Sequence, residues 1–213
     1  VCKLQLIFSF LNQLVYIILY YKGVNMYLTK SIFKTISIFL ILIGFNKAYA
    51  DAHKSKKGPE LEYFGTLSYA DITRMNGYKR NFIADIPSGT LTLANGDKGK
   101  VASPCADYGN MQKERTIDLD VRCSVTMEDG SELYIIYGGK MIMDEKSDEL
   151  NKEAKLLTPK NGLDYWIAAP LIRTTSEKYD YMNYIQLIGK GKKAIMTPPI
   201  SVTYDLYKVV YSK

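Results

Sequence analysis

One run of twelve residues in the middle of the chain leaves little choice of fold. From Ile117 to Glu128 the apolar side chains Ile117, Leu119, Val121, Cys123, Val125 and Met127 alternate with Asp118, Asp120, Arg122, Ser124, Thr126 and Glu128. A period of two sends successive side chains to opposite faces of a strand, so this segment predicts a long β-strand with one dry and one polar face. Asp129-Gly130 supplies a turn, and Leu133 to Tyr137, apolar on both faces, predicts a central partner strand.

Further strands are predicted at Leu61 to Tyr69, Phe82 to Ile86, Thr90 to Leu93, Lys100 to Ala102, Tyr165 to Ala169, Tyr181 to Ile188 and Val202 to Tyr211. Asn76-Gly77, Pro87-Ser88-Gly89, Asn95-Gly96-Asp97 and Pro198-Pro199 punctuate them, and Gly189 to Lys193 reads as a turn that lacks the spacing of a phosphate loop. Leu150, Ala154 and Leu157 recur at helical spacing in a charged stretch, which predicts one short amphipathic helix lying peripherally over the sheet. Many strands, short turns and one helical excursion predict an all-β, antiparallel β-barrel over 60–213, since closure removes exposed edges.

Ahead of the barrel the sequence changes character. Lys30 and Lys34, the apolar run Ile36 to Phe45 and Ala48-Tyr49-Ala50 have the three parts of a secretory signal over 26–50. Residues 1–25 hold a second apolar run and read as an over-extended start or an extra apolar segment. The Lys-rich stretch 51–59 reads as a disordered tether. A periplasmic or secreted location follows, with no stable membrane association once the signal is cleaved.

Charge and cysteines narrow the chemistry. Five of the 28 basic residues and none of the 22 acidic ones precede residue 51, so 23 basic face 22 acidic residues from Asp51 onward. A near-neutral domain lacks the clustered basic excess of a nucleic-acid binder. The one histidine, His53, lies in the tether, which excludes histidine general-base chemistry and a zinc-type ligand set. Export leaves Cys105 and Cys123 as an even pair, either a disulfide or two buried thiols. The thirteen tyrosines after residue 50 read as core and rim residues whose hydroxyls reach water.

Several short motifs then occur in order: Gly99-Lys100-Val101, Ala106-Asp107-Tyr108, Asp118-Leu119-Asp120-Val121-Arg122, Asp129-Gly130 with Leu133-Tyr134-Ile135, Ala169-Pro170, Thr174, Tyr179-Asp180-Tyr181-Met182-Asn183, and Tyr204-Asp205-Leu206-Tyr207. From about Leu61 to Tyr211 the chain resembles the family known as domain of unknown function three-two-three-seven. It departs from the family pattern at Pro104-Cys105, at Tyr108, at Cys123 and at Arg173. The resemblance implies a barrel of the calycin kind, similar to the allene oxide cyclase and dirigent barrels, which act on small apolar molecules in the lumen without metal or organic cofactor.

The candidate ligand-binding residues are Asp107, Tyr108, Arg122 and Asn183. Asp107 and Tyr108 are either pocket groups or an Asx-type turn with an aromatic plug. Arg122 either orients a ligand or forms a surface ion pair with Asp120, depending on which sheet face lines the lumen. Asn183 interrupts an apolar stretch and either bonds neighbouring backbone or reads a ligand. The leading reading is an exported barrel that binds a small, partly apolar ligand in its lumen. A cofactor-free isomerase or cyclase and a structural or envelope-assembly protein are the alternatives, and the reading allows a homo-oligomer.

Overall fold

The alternation of Ile117 to Met127 is realised as one uninterrupted strand whose odd residues face inward, all buried except the partly buried Leu119, and whose even residues face outward. The computed structural model describes residues 58–211, without the side chains of 75–78. The readings placed on 1–25, on the 26–50 signal and on most of the 51–59 tether lie outside the described residues. In chain order the elements are β1 (Glu60–Tyr78), β2 (Asn81–Asp85), β3 (Ser88–Leu93), β4 (Lys98–Asp107), β5 (Asn110–Lys113), β6 (Thr116–Met127), β7 (Glu132–Met143), α1 (Lys146–Lys152), β8 (Leu163–Ala168), β9 (Leu171–Arg173), a 3₁₀ segment (Glu177–Tyr184), β10 (Leu187–Ile195) and β11 (Ile200–Val210).

The sheet closes on itself. β1 pairs with β11, β11 with β10, β10 with β8, β8 with β7, β7 with β6, β6 with β4, β4 with β3, and β3 again with β1, every pair antiparallel. β2 continues the β3 position between β1 and β4, β5 continues β4 beside β6, and β9 continues β8 beside β7. The result is a closed antiparallel β-barrel with short helical segments.

Closure requires strong curvature, and bulges supply it. In β1 the register slips between Tyr69 and Ile72, with Asp71 at a φ of 55°. The inserted residue changes the parity of the strand, so Leu67 and Tyr69 face inward before it, Ile72 and Arg74 after it. At one end the lumen is solid, filled by Leu67, Leu91, Val125, Ile135, Leu206 and Met182. Each fully buried side chain of this size contributes about 1.5–3 kcal/mol.

Four local expectations are corrected. β1 runs through Asn76-Gly77, because Thr73 to Asn76 pair with Phe82 to Asp85, and the chain reverses at Lys79-Arg80 instead. Tyr181 to Tyr184 belong to the 3₁₀ segment, and the strand starts only at Leu187. Gly189 to Lys193 lie inside β10: Gly189 pairs with Ala168, and a Cβ on Gly191 would lie 2.0 Å from the Trp166 indole. Gly191 makes room for the indole, and the segment does not form a turn. Finally, α1 ends before Leu157, which is fully buried and exchanges backbone hydrogen bonds with Ala194, so the segment after the helix belongs to the core.

Candidate functional site

At the end opposite the solid core the inward side chains do not meet, and a cavity of about 480 Å³ remains. Its wall comes from the second half of β1, β2, the end of β4, the first half of β6, and the facing parts of β7, β8 and β11, with Met196 and Pro198 from the loop before β11. Most of the lining is apolar or aromatic, and two residues, Asp107 and Arg74, bring charge to it.

Asp107 ends β4, where it lies opposite Ala84 of β2 and Val121 of β6. Its carboxylate accepts one hydrogen bond at 3.0 Å from the Asp120 backbone N–H, and the residue is 8% exposed. Burial raises its pKa from 3.8 to about 6; the Asp120 charge adds to the rise, and the backbone bond and Arg74 oppose it. A carboxyl group held in this range can give or take a proton near neutrality.

Arg74 projects from β1 with its guanidinium carbon 4.0 Å above the Phe82 ring centre. Phe82 can take that place because residue 109 is glycine; a Cβ there would stand 2.1 Å from the ring. The Arg74 Nε is buried without an acceptor, and no ion pair to the guanidinium occurs among the described residues. Burial lowers its pKa, and the Asp107 charge opposes that change.

The opposite wall is a group of aromatic rings. Trp166 donates its indole N–H to the Tyr204 hydroxyl at 3.0 Å, and Tyr204 meets Trp166 and Tyr137 edge to face at 4.6 and 5.8 Å. Tyr69 completes it, with a buried hydroxyl that lies near Tyr137 but has no partner at hydrogen-bonding geometry. Burial pushes the pKa of Tyr69, Tyr137 and Tyr204 upward, so all three are neutral phenols. The expectation that the tyrosine hydroxyls reach water therefore fails for these three, which the curvature of the barrel turns inward.

Of the four candidate ligand residues, Asp107 alone lines the cavity. Tyr108 follows it with the opposite orientation and is half exposed. Arg122 stands on the outer face, paired with Asp120 at 3.2 Å and 5.7 Å from the Tyr108 ring centre. The odd face of β6 is the lumen face, so Arg122 points away from the cavity. Asn183 lies near the solid end, where its amide bonds the Thr174 backbone in both directions and reaches Asp180. It is the structural clasp of the 3₁₀ segment.

Cys105 lies opposite Cys123 in the β4–β6 register, and the two sulfurs are bonded. No cluster of three or more His, Cys, Asp or Glu that could hold a metal ion occurs among the described residues. Sequence reasoning missed Arg74, Tyr69, Tyr137, Trp166 and Tyr204 as lining. The one signal for Arg74 was the alternation Ile72, Arg74 beyond the bulge, hidden by the parity change at Asp71.

Solved structures share this architecture. A conserved protein of unknown function from Rhodopseudomonas palustris is 19% identical, with a TM-score of 0.62 over 73% of this chain and 100% of its own. A β-barrel-like protein from Acinetobacter baumannii is 18% identical, with a TM-score of 0.56 over 74% of this chain and 99% of its own. A protein of unknown function from Clostridium acetobutylicum is 19% identical, with a TM-score of 0.56 over 71% and 99%. At these identities the likeness is one of fold. No curated protein matches the chain. The model of one family matches residues 61–209, the length of the barrel, and the chain thus belongs to the DUF3237 family of proteins of unknown function.

Proposed function

We propose that the barrel binds a small, partly apolar molecule in its lumen. The observation that carries this reading is the cavity of about 480 Å³, within the range of small-molecule sites, with an apolar wall and few polar groups. Asp107 and Arg74 orient the molecule, and the Tyr69, Tyr137, Trp166 and Tyr204 rings enclose its body. Work in an oxidising, exported compartment is part of the proposal, supported by the Cys105–Cys123 bond and the signal-like residues 26–50.

A second reading is favoured by one specific feature. Asp107, with its pKa raised to about 6 inside an apolar cavity, has the properties of a proton-transfer group, as a cofactor-free isomerase or cyclase would need. Kinship with allene oxide cyclase and dirigent barrels would fit that reading. An unfilled lumen gives no support to a purely structural role, for which a packed interior would serve better.

Native mass spectrometry of the purified protein tests the proposal. A non-covalent adduct that Val121→Phe abolishes, in a variant that still unfolds cooperatively, supports lumen binding. An adduct unaffected by the filled lumen, or none after exposure to a library of small aromatic and aliphatic compounds, overturns it. Turnover of a bound compound that stops in Asp107→Asn selects the enzyme reading.

A further inference from the structure

Arg74 stands in the lumen wall without a counter-ion among the described residues. Its Nε has no acceptor, its guanidinium rests on the Phe82 ring, and no carboxylate of the described residues forms an ion pair with it. In the same wall, the Tyr69 hydroxyl is also buried and lacks a hydrogen bond. The remaining charge in the wall, Asp107, has one carboxylate oxygen engaged by the Asp120 N–H. The arrangement is a cationic fork at one side of an apolar chamber.

Resting on the lumen-binding reading, we propose that the molecule bound there is a small organic anion, with one carboxylate, sulfonate or phenolate held by Arg74 and a ring-sized apolar body against Val121, Met141 and Trp166. Arginine matches such oxyanions with two parallel, charge-assisted donors. A neutral ligand would drive water from the guanidinium without replacing its hydrogen bonds, and a cation would be repelled by it. A dianion would bring surplus charge towards Asp107.

Asp107 gives the proposal a second consequence. Arg74 favours its ionised form, so an anion that occupies Arg74 weakens that support and adds its own repulsion. Binding is then accompanied by proton uptake on Asp107. The other groups facing Asp107 do not compete for the role. Asp120 on β6 pushes in the same direction, and Tyr69 on β1, Tyr137 on β7 and Tyr204 on β11 stay neutral.

Two fluorescent probes of one shape separate the outcomes: anilinonaphthalenesulfonate, anionic at every pH used, and phenylnaphthylamine, its uncharged counterpart. Energy transfer from Trp166, the chain's one tryptophan and a lining residue, reports binding to the barrel, and its loss in Val121→Phe marks the lumen as the site. The purified protein is expected to bind the anion at least about tenfold more tightly at about pH 6, the gain of one charge-assisted contact. Arg74→Met and Arg74→Gln should each reduce the preference to within about twofold, by weakening the anion and sparing the neutral probe the cost of desolvating the guanidinium. Anion affinity should fall severalfold from about pH 5.5 to 8 in the wild type and stay level in Asp107→Asn, with thermal unfolding showing that each variant folds. Equal binding of both probes in the wild type, or a preference that survives both Arg74 variants, overturns the anion proposal and leaves lumen binding standing. Failure of both probes to accept energy from Trp166 overturns the two together.

Discussion

Replacing Asp107 by asparagine should make the protein more stable at neutral pH and change nothing at about pH 4, as follows from proton linkage. Asparagine keeps an oxygen that can accept the Asp120 N–H and removes the charge. In the folded protein the Asp107 pKa is raised from 3.8 to about 6. At pH values below the unfolded pKa both states hold the proton, and the group adds no pH dependence. As pH rises between the two values the unfolded chain releases its proton first, so the folded state is progressively disfavoured. At about 1.4 kcal/mol per pH unit the full difference is about 3 kcal/mol, reached just above the folded pKa. Asp97, Asp118 and Asp129 have lowered pKa values, so their contributions are lost only as pH falls below the ordinary carboxylate range, in wild type and variant alike. Urea unfolding of both proteins at about pH 4 and 7.5 therefore isolates Asp107. Asp107→Asn is expected to gain about 2–3 kcal/mol at the higher pH and nothing at the lower. The same difference at both pH values would show that Asp107 is not desolvated in the folded protein, and would refute the reasoning.

Other perturbations have equally definite outcomes. Reducing the Cys105–Cys123 bond, which joins residues 18 apart in sequence, should cost about 3 kcal/mol through a freer unfolded chain, read as a lower Tm in reductant. Gly191→Ala places a methyl group 2.0 Å from the Trp166 indole and should cost about 1–3 kcal/mol while shifting Trp fluorescence; unchanged emission would mean that the ring does not pack there. Leu157→Ala should cost about 2–5 kcal/mol in chemical unfolding, because the side chain is fully buried, and a near-neutral result would return the segment to the periphery. Trp166→Phe leaves the Tyr204 hydroxyl without its donor and should cost about 1–3 kcal/mol, measured the same way.

How much could be read from the sequence depended on whether a local rule met a tertiary one. β6 was legible to within a residue because its alternation is long and unbroken, and the Asn95 to Asp97 and Asp129-Gly130 turns because Gly96 and Gly130 adopt positive φ values. Lumen charge was harder. Arg74 follows a bulge that reverses which residues face inward, so periodicity carried across Tyr69 assigns it to solvent. Gly189 to Lys193 resembled a turn in composition, but Gly191 answers to an indole on another strand, Trp166 of β8. Of the candidate site, Asp107 was found because it breaks an inward apolar series next to the motif that carries the resemblance. Tyr108 and Arg122 were chosen while the identity of the inner face was open, and closure of the ring places both outside the cavity.

The pairing of β1 with β11 also sets the order of events in folding. Glu60 meets Val210 and Ile72 meets Ile200, so the contacts that close the ring join residues from opposite ends of the domain. Such contacts require the whole intervening chain before they repay the entropy of bringing its ends together. Until β11 is available, the side of β1 that will receive it presents unpaired N–H and C=O groups, an open edge to any neighbouring strand. A chain emerging from its N-terminal end, from a ribosome or through a membrane pore, must therefore keep that edge out of contact with other chains until its last strand arrives.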